Sequence, residues 1–270
     1  MPAAELVRLR QQINQLILVF QDPALFCKGV RDLLHLYAHH NYRPGHATQP
    51  QPLLPTYRVP ALVMRQLTLE LGKTCQEQPQ QALEVVNALW QETYLEPRLL
   101  AASMLGVIPV NTNGSGVIDR LSKWANASEN LRLISALMES STLLLRRQTP
   151  DRLLALIDQW LTDPNPAQQA VGIQALIALV NDRSFENLPA IYRLLRTPIQ
   201  NVHPRLQADL QFALQALIKR SPTETAYFLR QALSLSIGTG TARLIRRCLS
   251  EFDVSQQAGL RSALLTRGAP

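Results

Sequence analysis

The chain is short of almost everything from which a membrane segment, a disulfide framework or a sheet is made. Its apolar runs, Leu16 to Phe20 among them, are only a few residues long, against the roughly 20 needed to cross a bilayer. Glu5 lies near the start and no basic stretch precedes a long apolar core. No signal peptide is therefore expected, and the reading is of a cytoplasmic protein with no membrane partner. The three cysteines, Cys27, Cys75 and Cys248, are far apart. They have no paired spacing and read as reduced, buried thiols. The 11 glycines form no low-complexity tract. Gly238-Thr239-Gly240 lacks the glycine-lysine and the preceding strand of a phosphate loop, so it reads as a helix-breaking linker. No convincing strand is present, because the brief alternation from Leu233 to Ile237 fits a helix end equally well. With 46% hydrophobic and 17% charged residues, disorder is not expected either.

What is present is helix after helix. The stretch from Leu83 to Gly106, LEVVNALWQETYLEPRLLAASMLG, reads as two helices facing across a tight turn. Leu83, Val86 and Trp90 recur at the spacing of one helical face, with Tyr94 and Leu95 in the turn. Glu96-Pro97 opens the second helix, where the missing proline N–H has no partner to lose. Such a hairpin cannot bury both faces alone and needs similar hairpins beside it.

Proline or a capping residue marks most of the other starts: Asp22-Pro23, Pro60, Pro79, Thr149-Pro150, Asn165-Pro166 and Pro204. Ser128 is expected to cap a helix ending near Arg147, and Ser221 to Glu224 has the form of a capping box. Residues 107–116, VIPVNTNGSG, read as a turn-rich break before a helix over Val117 to Trp124, and Asn187 to Arg196 as a short helix. Residues 41–59, with four prolines, read as a long surface connection. The expectation is thirteen or fourteen helices in pairs of roughly 35–45 residues, in the range of HEAT-type repeats. The fold class is all-α: a superhelical solenoid of HEAT-like antiparallel helix pairs, as a single domain over 1–270.

The net charge of +7 is unevenly placed. Residues 1–186 hold 16 Lys+Arg and 16 Asp+Glu, whereas residues 187–270 hold 11 and 4. Ten of those eleven late cations are arginines, which pair with phosphate through two parallel N–H bonds. This charge fits a polyanion partner or, equally, a soluble basic protein with no such partner; the cations expected to touch a polyanion are Arg205, Lys219, Arg220, Arg243, Arg246 and Arg247.

Two segments together carry a resemblance. Tyr57-Arg-Val-Pro60-Ala-Leu-Val-Met-Arg65 and LWQETYLEPRLLAASMLG are similar to consecutive stretches of the AlkD-type DNA alkylation repair family. Thr149-Pro150 through Trp160 and Phe212 through Pro222 resemble later helices of that family. The resemblance covers roughly residues 5–235. It implies a solenoid of HEAT-like pairs whose basic concave face holds duplex DNA, and, in active members, cleavage of the glycosidic bond of cationic alkylated purines. That chemistry needs a carboxylate near the sugar, where oxocarbenium charge develops, with aromatic residues beside it. At the family's acid position this chain has Ser135, and the carboxylates about a turn away are Glu129 and Glu139. The family's arginine position falls on Ala170, and its late tryptophan becomes Phe212, an aromatic retained. Trp124 and Phe212 are the expected groove aromatics.

The resemblance thus implies a DNA-binding protein with little or no glycosylase activity. An active alkylpurine DNA glycosylase and a HEAT scaffold for a protein partner are the alternatives. His35 and His39 lie one turn apart, with His40 and His46 nearby, but no cysteine or carboxylate joins them at ligand spacing. No metal and no cofactor are expected, and the protein is expected to be a monomer.

Overall fold

The computed structural model describes residues 3–38, 54–127, 131–236 and 239–266. Among them there are helices and no strand. The chain divides into two compact units, Met1–Gln148 and Thr149–Pro270.

The first unit holds α1 (Ala3–Leu18), α2 (Pro23–Leu36), α3 (Ala61–Glu77), α4 (Pro79–Trp90), α5 (Leu95–Leu105) and α6 (Val110–Ala127). It closes with α7 (Leu131–Ala136), a π-helical turn over Leu137–Ser141 and α8 (Leu143–Gln148). α1 touches α2, α3 touches α4 and α4 touches α5, and helices pack on the next but one: α1 on α3, α3 on α5, and α5 on α7 in one layer; α2 on α4, α4 on α6, and α6 on α8 in the other. Apolar stripes at helical spacing drive this, since each helix has one face to bury against each layer. The expected hairpin is present as α4 and α5. Leu83, Val86 and Trp90 are all buried in it.

The second unit holds α9 (Pro150–Thr162), α10 (Pro166–Asn181), α11 (Leu188–Gln200), α12 (Gln207–Arg220), α13 (Pro222–Leu235), α14 (Gly240–Cys248) and α15 (Val254–Thr266). Short 3-10 turns cover Pro204–Leu206 and Leu249–Glu251. The same alternation recurs within it: α9, α11, α13 and α15 form one layer, and α10, α12 and α14 the other. Its helix starts are sharp. Asn165 accepts from Ala167 N and Asn187 accepts from Ala190 N, each followed by proline in the first turn.

Four expectations are corrected. The presumed break over 107–116 is mostly helix, because α6 begins at Val110. Val110, Val117, Leu121 and Trp124 are buried along one face of it, and that packing outweighs the poor helix propensity of Asn-Thr-Asn-Gly-Ser-Gly. The helix expected up to Arg147 is interrupted by the π-helical turn, while Ser128 and residues 39–53 lie outside the described residues. α11 runs through Pro198 to Gln200; proline gives no N–H to the carbonyl four residues back, and the helix ends two residues later. Finally, Ser221 does not cap α13 through the backbone: its hydroxyl donates to the Glu224 carboxylate instead.

Candidate nucleic-acid interface

In the second unit α14 separates apolar from basic side chains. Thr241, Leu244, Ile245 and Cys248 are buried, a stripe at i, i+3, i+4 and i+7. Arg243, Arg246 and Arg247 are exposed and repeat at i, i+3 and i+4, so they share the opposite side of the helix. The helix is held in register from below. Thr241 Oγ1 donates to Ile199 O at 2.7 Å, and Gly240 lies so close to Val202 that a Cβ there would fall 2.9 Å from the valine Cβ. α14 itself carries no carboxylate, and nothing on its own helix neutralises the three guanidinium groups.

α12, on which α14 packs, carries Phe212 with 60% of its surface exposed. Lys219 is exposed in its last turn. Arg205 is exposed in the 3-10 turn before α12, where His203 Nδ1 accepts its backbone N–H at 3.2 Å. Arg220 is placed differently. Its guanidinium donates to Val180 O at 2.6 Å, to Asp182 O at 2.8 Å and to Phe185 O. It caps the end of α10 and the loop that follows.

The first unit contains the other residues of interest apart from Ala170. Trp124 is buried and stacks on Trp90, with ring centroids 4.3 Å apart and planes 5° from parallel. The Arg98 guanidinium lies 6.0 Å from the Trp90 ring centroid, and its Nε donates to Glu92 O at 2.7 Å. Burial pushes its pKa down from the usual arginine value. Ser135 is exposed on α7 and Glu139 is exposed in the π-helical turn; Glu129 lies outside the described residues. Ala170 is half-buried on α10.

Three residues take roles that their neighbours in the sequence do not announce. Arg146 is buried and donates to Met138 O at 3.1 Å and to Glu139 O at 2.8 Å, which satisfies carbonyls in the π-helical turn. Glu96 is buried and its carboxylate accepts from Tyr57 N at 3.0 Å and Arg58 N at 2.7 Å. Arg58 sits at φ 57°, in the left-handed region, a position that costs a non-glycine residue of order 1 kcal/mol and survives only where its surroundings impose it. Glu96 and the Leu95 N–H, which donates to Pro55 O at 3.0 Å, impose it here. Tyr57 stacks on Tyr94 at 4.0 Å. These partners are 38 and 39 residues apart in sequence, and spacing along one helix cannot reveal such a pair.

Among the described residues no metal set emerges, and the three cysteines are not reactive thiols. Burial pushes the Cys75 thiol up to about 12 and those of Cys27 and Cys248 up to about 11, so all three stay protonated at neutral pH. Among the described residues no group of three or more His, Cys, Asp or Glu is placed to hold a metal ion. His39, His40 and His46 lie outside them. No described helix is long and apolar enough to cross a membrane.

The fold and this surface define an all-helical protein of layered helix pairs with an arginine-bearing C-terminal region. Residues 53–247 match the family described as DNA alkylation repair enzyme. The match spans well over half of the chain, and the chain belongs to that family. No curated protein matches it.

Proposed function

We propose that the chain is a HEAT-like solenoid that binds duplex DNA on a basic concave face, with little or no glycosylase activity. The alternation of helices between two layers within each unit supports the repeat reading. The observation that carries the DNA reading is the α14 face, where Arg243, Arg246 and Arg247 are exposed together on a helix with no carboxylate. Phe212 and Lys219 on α12 and Arg205 before it add an aromatic and two cations to the same layer. Contacts of this kind neutralise phosphates and read little sequence. Replacing all three α14 arginines by alanine is expected to weaken binding to every duplex about equally and to lower the slope of log affinity against log salt by roughly two to three. Binding that ignores salt, or none at low salt, would turn the reading toward a scaffold for a protein partner.

The weak-catalysis part rests on Ser135. A hydroxyl dipole stabilises developing oxocarbenium charge far less than a carboxylate does. Incubation with methylated duplex is expected to release no alkylated purine above background. One observation favours a second reading, an active glycosylase. Glu139 is exposed four residues beyond Ser135, and its backbone carbonyl is held by buried Arg146 in a π-helical turn, a feature frequent at functional sites. If base release is measured, Glu139→Gln abolishes it under this second reading and leaves it intact if the acid lies elsewhere.

A further inference from the structure

A cavity of about 500 Å³ opens at the C-terminal ends of α10 and α12, lined by Val180, Asn181, Arg183, Ala216, Lys219 and Arg220. Three of the six lining side chains are cationic, one is an amide and none is a carboxylate. Helix C-termini carry partial negative charge, so cations at such a place first answer the helices themselves. Here that need is met by one residue. Arg220 engages the carbonyls of Val180, Asp182 and Phe185, which uses three of its five N–H donors and fixes its plane. The nearby Asp182 carboxylate accepts from Ser184 N at 3.0 Å and Ser184 Oγ at 2.6 Å. Arg183 and Lys219, both exposed, are then in excess of what the helix ends require. Like charges around one cavity repel, and an anion between them turns that repulsion into attraction.

The volume suits more than a bare ion, since small-molecule sites run from roughly 300 to 1,000 Å³. α12 also supplies an apolar neighbour. Phe212, Ala216 and Lys219 follow at i, i+4 and i+7, one stripe of the helix. The exposed phenylalanine therefore lies one turn beyond the cavity wall, where a base can lie against its ring.

We infer that this cavity is a binding site for a phosphate ester, with Arg183 and Lys219 as its anion ligands, Arg220 as the fixed member that organises them, and Phe212 as the surface for the attached nucleoside. The favoured occupant, a backbone phosphate of DNA, rests on the function proposed above; a free nucleotide has the same chemistry.

The test uses the full chain and an Arg183→Glu/Lys219→Glu variant that leaves the capping Arg220 in place. Arg193→Glu/Arg196→Glu serves as a control: it makes the same charge change at exposed positions of α11. Binding to a short fluorescent duplex is followed by anisotropy, and binding to pyrophosphate and to ADP by calorimetry, with melting curves to verify folding. The expected result is about a tenfold or larger loss of duplex binding for the cavity variant and under about threefold for the control. Equal losses from both variants would mean that only net charge is being read and would overturn the site. Duplex binding by the wild type that the cavity variant retains would also overturn it, while leaving the DNA reading intact. Pyrophosphate or ADP binding that only the cavity variant loses, with no duplex binding by the wild type, would keep the site for a free nucleotide and remove the DNA reading. Failure of the wild type to bind any of the probes would end both.

Discussion

The two units solve the same problem by different means. Each stacks helices in two layers, and each has to satisfy the backbone groups that helix ends leave without partners. The C-terminal unit does so largely at the surface, the buried Thr241 hydroxyl on Ile199 O aside. Caps and prolines start its helices, and Arg220 gathers the carbonyls at the end of α10. The N-terminal unit caps α2 with exposed Asp22 but does much of the rest inside. Glu96 binds the backbone of the 54–60 segment, and Arg146 binds the carbonyls of the π-helical turn. Ser141 Oγ donates to Ala102 O at 2.9 Å, and Gly106 lies against the Ser140 carbonyl. A buried polar network rigidifies when every member is satisfied and fails sharply when one is removed. The devices of the second unit leave its described arginines other than Arg220 exposed.

This contrast predicts that single substitutions hurt the first unit most. Trp90→Ala removes a buried ring that stacks on Trp124 and lies under Arg98. A loss of about 3–5 kcal/mol in unfolding free energy is expected, and a melting curve superimposable on the wild type would break the comparison at its strongest point. Gly106→Ala follows. Its Cβ would fall 1.8 Å from Ser140 O, a backbone atom that cannot swing aside as a side-chain end can. Overpacking of this kind costs about 1–3 kcal/mol or more; a neutral result in denaturant titration would show that the π-helical turn yields. Glu96→Ala leaves the Tyr57 and Arg58 N–H groups without their acceptor and is expected to cost about 2 kcal/mol, with early proteolysis near residues 54–60 as its specific sign.

Two smaller effects sharpen the comparison. Cys75 in the first unit and Cys248 in the second are both fully buried, so each reacts with a thiol reagent only when its own unit opens. In sub-denaturing urea Cys248 is expected to be labelled several-fold faster than Cys75, and the opposite order would reverse the assignment of the firmer unit. Both thiols are raised in the folded state, from 9.0 to about 12 and about 11. Their contribution to stability is therefore complete below pH 9 and is lost as pH rises through those values. Last, Arg58→Gly relieves the left-handed strain at φ 57° but frees the unfolded chain, so the net change is expected to be within about 1 kcal/mol. A large loss would mean that the Arg58 side chain, not only its backbone, holds the segment in place.

Much of the fold was legible locally. Asp22, Asn165 and Asn187 cap helices at or near the expected starts, because capping and proline geometry are decided within four residues. The 3.6-residue stripe through Leu83, Val86 and Trp90 correctly announced a buried face. Residues 110–116 misled because their composition is that of a turn, and only packing of Val110 and Val117 makes them helix. The candidate surface was legible as charge but not as placement. Arg220 and Arg247 look alike in the sequence, yet one is engaged by three carbonyls while the other faces solvent.

By itself the sequence determined that this is an all-helical chain with its excess positive charge in the last third, and the match over residues 53–247 makes it a member of the DNA alkylation repair enzyme family. Helix periodicity, caps and net charge are properties of neighbouring residues, so they survive without coordinates. Tertiary structure alone decided which polar groups are consumed. Glu96 meets a segment 38 residues earlier and Arg220 meets carbonyls 35 to 40 residues earlier. Whether a charged side chain is a structural clamp or an open contact depends on what the fold brings beside it, and a linear pattern carries no record of that.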